Sequence, residues 1–280
     1  MSELTDPSAV GAARPLAVST PDGSLHGAAH GSGPTVLLIH GTAPAIWGDL
    51  PAALAAEHRV VAYDRRSFGA SRAGPPAGGL STHADDAAAM IQAAGAPAIV
   101  VGWSIGGVIA LELAARHPKL VERLVLLEPP LHAKRHPRPA MVSAILRATL
   151  LGRIGRERAG ARAFLRWALS RRDGGSDLDR LPASWRERVD GDARAIVREL
   201  AAGTGEHLNE SLLGSIAAPA RIFSGRQSSA VFEHAARRAA TMVPGAELEP
   251  VAGGHAVQLD AGAAVLAAVR ATARARRSPL

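Results

Sequence analysis

The sequence predicts an α/β fold in which a mostly parallel sheet has helices on both faces and is interrupted by a helical insertion. Short β-branched runs alternate with helical patterns in the first half of the chain and again near its end, as expected of βαβ units. Between these two parts, residues 129–214 show helical patterns only. The 280 residues are 47% hydrophobic and 20% charged, which allows a large core and excludes global disorder.

A β-hairpin is the first element that the sequence predicts. Pro21-Asp22-Gly23 is a turn signal, and it lies between the apolar runs Leu16–Val18 and Leu25–Ala29. Residues 1–15 contain no comparable pattern and are predicted to form a flexible tail that precedes the folded part of the chain.

Strands and helices then alternate as far as residue 127. Short β-branched runs indicate buried strands, and helical spacing of apolar residues fills the gaps between them. Thr82 is a candidate N-cap, with Asp85 three residues later in the place of the usual glutamate. The predicted strands are 35–39, 59–63, 98–102 and 123–127, and the predicted helices are 46–57, 82–94 and 105–117.

This alternation stops after residue 128 and resumes near residue 215. Helices are predicted over 141–151, 158–170 and 185–201, followed by a strand over 221–224, a helix over 232–242, a strand over 247–251 and a helix over 260–273. We therefore predict a core made of 16–128 and 215–273, a helical insertion of 129–214, and a frayed tail of 274–280.

Several classes of protein are excluded by the composition. The chain has no cysteine, which rules out disulfides, thiol nucleophiles and thiolate metal sites. Its first 14 residues contain Glu3 and Asp6 and have no apolar segment typical of a signal peptide. No run approaches the roughly 20 apolar residues that span a membrane. We expect a cytoplasmic protein with no membrane partner.

The net charge of +7 is concentrated in the predicted insertion. From Lys134 to Arg172 the chain has 11 basic residues and one acidic residue, Glu157. Such a stretch can bind nucleic acid, or it can guide an anionic substrate, a CoA phosphate or an acidic carrier protein. Arginines on a solvated helical surface are the simplest interpretation, and no nucleic-acid partner is predicted.

Gly102-Trp103-Ser104-Ile105-Gly106 lies between a predicted strand and a predicted helix. This is the G-x-S-x-G nucleophile elbow in the context that it requires. A sharp turn leaves no space for side chains at the two glycines and presents the Ser104 hydroxyl above the sheet. The backbone N–H of Ile105 is then expected to point at an oxyanion that forms during attack on a carbonyl.

A second oxyanion donor is predicted at the end of the first core strand. His40-Gly41 stands 64 residues before Ser104 (104 − 40), and the residue after it is Thr42. We expect the Thr42 backbone N–H to complete the pair of donors.

The segment from Asp64 to Ser71 reads Asp-Arg-Arg-Ser-Phe-Gly-Ala-Ser and follows the next strand. With the elbow and the His40-Gly41 pair, the chain resembles capped, esterase-like proteins of the α/β-hydrolase fold over nearly its whole length, least in the insertion. Members commonly carry D-x-R-G-x-G-x-S at this turn, and Ser67 stands where glycine is usual. The resemblance implies structural roles for Asp64 and Arg66, and makes the insertion a cap.

The resemblance also indicates which histidine is catalytic. In the family it lies on the loop after the last strand, where this chain has Gly253-Gly254-His255, and an acid often follows five residues later, as Asp260 does here. His255 is thus the predicted base that takes the serine proton and returns it to the leaving group. His132, His136 and His207 lie in the insertion, where they could line a pocket, although surface positions are expected.

The acid that orients the histidine departs from the usual pattern. Most members carry an aspartate in the turn after the strand that resumes the sheet, but Gly225–Ser229 contains no carboxylate. Glu128 ends the strand after the elbow helix, and a minority of the family, including haloalkane dehalogenases of one type, take their acid from there. We predict Glu128. The alternatives are the absence of a functional acid, Glu233 on the following helix, or an acid of the cap.

The predicted chemistry needs no cofactor and no metal, because no Walker A, HExxH or GxGxxG motif is present in a suitable context. Haloalkane dehalogenases and epoxide hydrolases use aspartate as nucleophile, whereas position 104 is serine. Epoxide hydrolases also need cap tyrosines, and Tyr63 is the only tyrosine in the chain.

The expected protein is a serine hydrolase that cleaves an ester or thioester of a small or medium apolar acyl or aryl group through an acyl-enzyme. Apolar residues at helical spacing in the insertion would pack the cap, and some would roof the pocket: Ala144, Ile145, Ala148, Leu151, Phe164, Leu165, Trp167, Ala168 and Leu169. Carbon–carbon bond hydrolysis, lyase chemistry or a perhydrolase on the same residues is one alternative. A non-catalytic binding protein that kept the fold is another.

Overall fold

A computed structural model of the chain describes residues 13–74 and 76–271. Its centre is a sheet of eight strands in the order β1-β2-β4-β3-β5-β6-β7-β8. The strands are β1 (Arg14–Thr20), β2 (Gly23–His30), β3 (Thr35–Ile39), β4 (Arg59–Asp64), β5 (Ala98–Trp103), β6 (Val121–Leu127), β7 (Ala220–Gly225) and β8 (Glu247–Val251).

Strands β3 to β8 are parallel to one another, while β1 and β2 form an antiparallel hairpin that joins the edge of β4. All residues of β3 and β5 are buried, which explains their nearly continuous apolar sequences. Leu37 and Ile39 contribute to the core on one face of the sheet, and Val36 and Leu38 to the core on the other. The predicted α/β class with a mostly parallel sheet is confirmed.

Helices cover both faces of this sheet. Outside the segment between β6 and β7 they are α1 (Leu50–Ala55), α2 (Leu80–Ala94), α3 (Ile105–Arg116), α9 (Ala230–Met242), α10 (Val257–Asp260) and α11 (Gly262–Arg270). Side chains of α2, α3 and α9 enter one apolar core, and those of α1 and α11 enter the other. None of the helices in the described part of the chain is long and apolar enough to cross a lipid bilayer.

The segment between β6 and β7 contains the helices α4 (Pro139–Arg153), α5 (Glu157–Ala168), α6 (Ala183–Gly191), α7 (Ala193–Glu199) and α8 (Glu210–Gly214), and no strand among its described residues. We call this segment the cap. Four side chains of the cap, the first three of them buried, bond to the core: Asp177 to the Ala256 N–H, Trp185 to the Pro44 carbonyl, Asp192 to the Gly69 N–H, and Glu199 to Arg65. The domain limits drawn at residues 128 and 215 stay a prediction.

Several predicted boundaries are wrong. Helix α1 begins at Leu50 rather than residue 46, and the single helix predicted over 185–201 is two helices that meet at Asp192. The final predicted helix is likewise divided, at Ala261 between α10 and α11. Thr82 is not an N-cap, because α2 already begins at Leu80 after Gly79, whose φ of 150° only glycine adopts readily.

The predicted N-terminal tail also extends too far, since Arg14 and Pro15 pair with β2 as part of β1. Residues 1–12 of that tail, and the predicted frayed tail of 274–280, lie outside the described residues.

Candidate active site

Ser104 lies at the sharp turn between β5 and α3. Its backbone has φ 55° and ψ −127°, a conformation that costs free energy in a non-glycine residue and is typical of functional turns. A Cβ at Gly102 would lie 2.5 Å from the Gly106 carbonyl oxygen, and one at Gly106 would lie 2.2 Å from the Ile39 carbonyl oxygen. The turn that presents the serine therefore requires glycine at both positions, for steric reasons that the motif predicts.

The His255 ring meets this serine from the loop after β8. Its Nε2 lies 3.0 Å from Ser104 Oγ, within hydrogen-bond distance. Its main-chain carbonyl oxygen accepts a hydrogen bond of 2.9 Å from the Trp103 indole N–H. On the other side, the Ala256 N–H donates to the buried Asp177 carboxylate of the cap at 3.3 Å. The histidine loop is thus held both by the elbow strand and by the cap.

Glu128 completes the row of side chains. Its Oε2 lies 2.7 Å from His255 Nδ1, and its side chain is fully buried. Glu128 has a positive φ of 48°, which turns the chain at the end of β6. It follows Leu127, which pairs with Phe223 of β7, and its own N–H still donates to the Phe223 carbonyl. The adjacent strand end therefore brings a glutamate to the histidine.

The burial of the Glu128 carboxylate is compensated by donors on both of its oxygens. Oε1 accepts from the Gly225 N–H at 2.7 Å and, at 3.4 Å, from the Ser224 hydroxyl. Oε2 accepts from the Ser228 hydroxyl at 2.6 Å as well as from His255. A buried charge is tolerated only when it is paired and hydrogen-bonded in this manner. Each of these groups can donate, which suits an acceptor-only carboxylate and places the His255 proton on Nδ1.

Phe232 of α9 fixes the plane of the histidine ring. The two rings are stacked, with centroids 3.5 Å apart and planes 12° apart. The stacking restricts rotation about the histidine side chain while both ring nitrogens keep their hydrogen bonds.

The predicted oxyanion donors belong to the same pocket. Thr42 and Ile105 line it together with Ser104 and His255. Ile105 is the first residue of α3, where N–H groups have no partner within the helix. The loop that carries Thr42 passes directly against the serine, because a Cβ at Gly41 would lie 3.0 Å from the Ser104 Cβ.

The rest of this pocket is largely apolar and comes from the cap and from α9. Nine apolar residues line it, the first six of which are predicted cap residues: Ile145, Phe164, Leu165, Trp167, Ala168, Leu169, Met141, Val231 and Phe232. Trp167 contacts both Phe164 and Phe232 through its ring. An apolar group attached to a carbonyl carbon at Ser104 would contact these side chains.

A family model described as the α/β hydrolase fold matches residues 34–262. The chain belongs to this family. The resemblance drawn from the elbow, the His40-Gly41 pair and the Asp64–Ser71 turn is thereby confirmed, as is the fold class that it implies.

Known α/β hydrolases are similar to this chain in part or in whole. A putative carbamate hydrolase RutD of Agrobacterium fabrum is 37% identical over 109 residues, which are 37% of this chain and 41% of that protein. A pimeloyl-[acyl-carrier protein] methyl ester esterase of a Shewanella species is 38% identical over 109 residues, 37% of this chain and 38% of that one. The chain thus spans about two fifths of the length of these curated relatives.

Likeness to solved structures extends over the whole fold. The carboxylesterase CesB of Bacillus subtilis superimposes with a TM-score of 0.72 at 23% identity, covering 92% of this chain and 90% of that one. Est816, described as an N-acyl homoserine lactone degrading enzyme, gives a TM-score of 0.73 at 21% identity, covering 91% and 99%. At these identities the likeness concerns the fold alone.

Glu233, an alternative for the acid position, and Asp260, the acid five residues after His255, have other partners in this α/β hydrolase. Glu233 forms ion pairs with Arg172 and Arg237 on the surface. Asp260 ends α10 and pairs with Arg171 and Arg180 of the cap. Neither contacts His255 in the described structure.

Asp64 and Arg66 serve the turn after β4. Asp64 Oδ2 accepts from the Ala70 N–H at 2.9 Å, and Arg66 forms a two-point pair with the buried Asp86. Ser67 takes the glycine place of the motif with a positive φ of 77°, a conformation that is uncommon for a residue other than glycine.

Of the three cap histidines, none lines the Ser104 pocket. His136 is exposed and His207 pairs with Glu112, but His132 is buried and its Nε2 lies 2.9 Å from the Leu208 carbonyl oxygen, so the expected surface position is wrong for it. Among the described residues, no group of three or more histidine, aspartate or glutamate side chains could hold a metal ion.

Sequence reasoning missed Ser228, Phe232 and Asp177, which contact Glu128, the His255 ring and the histidine loop respectively. Ser228 lies in the very turn that lacks a carboxylate, and its hydroxyl donates to Glu128 instead. The polar side chain of Ser228 in that turn is the sequence feature that could have indicated this contact. Nothing in the local sequence indicates that Phe232 stacks on His255 or that Asp177 reaches the Ala256 N–H.

Two more buried histidines lie behind the Ser104 pocket. Burial, and next the charge of Arg65, lower the pKa of His40 to about 3 and the pKa of His83 well below its ordinary value. In the unfolded chain both titrate near pH 6.5. Below that pH the unfolded state therefore binds more protons than the native state, and the free energy of unfolding falls as the pH falls.

We accordingly expect the protein to lose stability between pH 7 and 5. His40 alone accounts for about 2 kcal/mol, at roughly 1.4 kcal/mol for each pH unit below 6.5. A His83→Gln variant should lose less stability than the wild type over this range, whereas His234→Gln, at an exposed position, should lose as much. Urea denaturation at both pH values measures the difference. Equal losses in all three proteins would contradict the prediction.

Proposed function

We propose that this α/β hydrolase is a serine hydrolase that cleaves a carboxylic ester or thioester through an acyl-enzyme, with Ser104 as nucleophile, His255 as general base and Glu128 as the acid of the triad. The observation that carries the proposal is the continuous row of hydrogen bonds from Ser104 Oγ to His255 Nε2 at 3.0 Å and from His255 Nδ1 to Glu128 Oε2 at 2.7 Å. Such a row supports proton transfer, whereas a non-catalytic binding protein has no need of it.

Each step follows from this arrangement. His255 Nε2 takes the Ser104 proton as Oγ bonds to the substrate carbonyl carbon, and Glu128 stabilises the imidazolium. The carbonyl oxygen becomes an oxyanion that the Thr42 and Ile105 N–H groups bind. When the tetrahedral intermediate collapses, His255 gives its proton to the leaving alcohol or thiol and an acyl-enzyme remains. Water then attacks the acyl group with His255 again as base, which releases the acid and restores Ser104.

The substrate is proposed to carry an apolar acyl or aryl group of small or medium size. Support comes from the pocket, which side chains such as Ile145, Phe164 and Trp167 make largely apolar beside the serine. The matched relatives include a methyl ester esterase and a carbamate hydrolase, whose names are compatible with attack at an acyl carbon.

A fluorophosphonate probe and an ester panel test the proposal. The probe is expected to label one serine, and peptide mapping should place the label on Ser104. Nitrophenyl esters and CoA thioesters of increasing acyl length should then show the highest kcat/KM for apolar chains that the pocket accommodates. Absence of labelling together with absence of turnover across the panel would refute the proposal.

Exposed arginines on the cap give a prediction about charged substrates. Arg138, Arg147, Arg153, Arg156, Arg158 and Arg166 are exposed, and none has an acidic partner within residues 13–74 and 76–271. Arg138 and Arg156 directly precede α4 and α5, and the other four lie on these helices, whose other faces line the pocket. Unpaired positive charge so placed should attract a substrate that carries phosphates.

The KM for an acyl-CoA is therefore expected to rise about fivefold between roughly 50 and 300 mM salt, because the screening length shortens over this range. The KM for a neutral ester with the same acyl group should stay constant. Exchange of Arg147 and Arg153 for glutamate should remove the salt effect. Equal salt responses of the two substrates would show that these arginines are only a solvated surface.

A further inference from the structure

Arg65 is a fully buried guanidinium behind the loop that carries Thr42. Its Nε donates to the His40 carbonyl oxygen at 3.0 Å, and its Nη2 donates to the Gly41 carbonyl oxygen at 2.7 Å. The Arg65 side chain therefore binds two successive carbonyl groups of this loop. The motif at this turn assigns no role to Arg65, since the arginine of the motif is the next residue, Arg66.

The charge of Arg65 is balanced from the cap. Glu199, the last residue of α7, accepts from Nη1 at 2.5 Å and from Nη2 at 3.0 Å in a two-point pair. The Glu199 side chain is 11% exposed and lines the Ser104 pocket. One guanidinium thus joins a loop of the core to a helix of the cap, beside the site of reaction.

The Gly41 carbonyl that Arg65 binds belongs to the same peptide group as the Thr42 N–H. In a trans peptide the C=O and N–H bonds point in opposite directions. The carbonyl oxygen has a second donor, His40 Nδ1, at 2.8 Å. His40 Nε2 accepts from the Arg65 backbone N–H at 2.9 Å, so the proton of this neutral ring must be on Nδ1. Because the Arg65 guanidinium and His40 Nδ1 both donate to the Gly41 carbonyl oxygen, the orientation of this peptide group, and therefore of the Thr42 N–H, is fixed.

We propose that Arg65 and Glu199 are positioning residues of the oxyanion site, because they hold the Gly41–Thr42 peptide so that its N–H points at the oxyanion. Since Glu199 ends α7, the orientation of this N–H then depends on how α7 packs on the core. The inference rests on the proposed role of the Thr42 N–H in the reaction of Ser104. Arg65 itself does not line the pocket and acts through the loop.

The test replaces both residues of the Arg65–Glu199 ion pair and compares this variant with one in which a similar buried ion pair is replaced. Because removal of one partner would leave a buried charge unpaired, both residues are exchanged for apolar ones in an Arg65→Met, Glu199→Leu variant. The neighbouring pair of Arg66 and Asp86 is also buried and also has two hydrogen bonds, at 3.0 and 2.6 Å, but the further hydrogen bonds of Arg66 go to Thr20 and Asp22 of the β1–β2 hairpin. The corresponding Arg66→Met, Asp86→Leu variant is the control.

In the Arg65–Glu199 variant, kcat is expected to fall about 10- to 100-fold, because a misplaced donor retains part of the effect of an oxyanion contact. KM should change less than about threefold, and the affinity for a trifluoromethyl ketone, which forms an oxyanion on Ser104, should fall in parallel with kcat/KM. The control should keep the wild-type kcat, even if its melting temperature falls. Arg65→Lys, which keeps the charge opposite Glu199, should lose less stability yet still lower kcat.

Equal decreases of kcat in both double variants would overturn the inference, since they would indicate a merely structural role. A second measurement does not depend on turnover. In protein labelled with ¹⁵N at threonine, the Thr42 amide signal should move in the Arg65–Glu199 variant and stay in place in the control. If wild-type Ser104 reacts with no probe, the proposed function fails, and an unchanged Thr42 signal would separately refute the positioning role.

Discussion

Replacement of Ser104 by alanine is expected to lower kcat by about 10³-fold or more and to abolish fluorophosphonate labelling, because no other described serine stands at a strand–helix elbow beside a histidine. The fold should be retained. Alanine is as large as serine at Cβ, and the backbone of residue 104 is held by its N–H bond to the Leu127 carbonyl at 2.9 Å.

Kinetics, labelling and circular dichroism of the purified variant check this result. Ser143→Ala is a suitable control, since Ser143 is exposed on α4. It should label and turn over substrate as the wild type does. Labelling of the Ser104→Ala protein at another serine would show that Ser104 is not the nucleophile.

Replacement of Glu128 by glutamine is expected to lower kcat by up to about 10⁴-fold while the fold is kept. The structure indicates how the amide would be oriented. The Gly225 N–H is a fixed donor to Oε1, so the amide oxygen should take that place and the NH₂ group should face His255. The NH₂ group would then donate to Nδ1, which stabilises the tautomer with a proton on Nε2. In that tautomer Nε2 cannot accept the Ser104 proton.

Glu233→Gln is the matched control, because Glu233 pairs with surface arginines and should be without effect on kcat. A raised assay pH should not rescue Glu128→Gln, since the tautomer and not the charge of the ring is affected. Wild-type activity in Glu128→Gln, or a large loss in Glu233→Gln, would exclude Glu128 as the acid.

The sequence alone predicts the strands best, because each is encoded locally. The limits of β3 and β8 are those predicted, since a buried apolar run between turn residues has few alternatives. The prediction of a single helix over 185–201 is wrong because a tertiary contact interrupts that helix. At Asp192 the backbone leaves helical geometry, with ψ 7°, and the carboxylate accepts from the Gly69 N–H of the core. No periodicity within the cap contains that contact.

Some residues of the candidate site can likewise be predicted from local sequence, whereas others are brought together only by the fold. Ser104 and His255 lie in short motifs whose geometry depends on neighbouring residues, so the sequence identifies them as candidates. Glu128 could be proposed because the turn after β7 lacks a carboxylate and adjacent parallel strands end at the same edge. The stacking of Phe232 and the hydroxyl of Ser228 depend on how α9 and that turn pack on the histidine loop, which is decided only by the assembled sheet.

The neighbouring positions of Ser104 and Glu128 have a consequence for the order in which activity arises. The two residues lie 24 positions apart (128 − 104) in one β5–α3–β6 unit, whose strands pair in register as far as Trp103 and Leu127. His255 comes 127 residues after Glu128. A chain emerging from the ribosome can thus form early the contacts that position Ser104 and Glu128, the proposed nucleophile and acid, because these contacts are local in sequence. The proposed base follows the last strand, so a chain that ends before β8 contains Ser104 and Glu128 but not the imidazole that joins them in the complete fold.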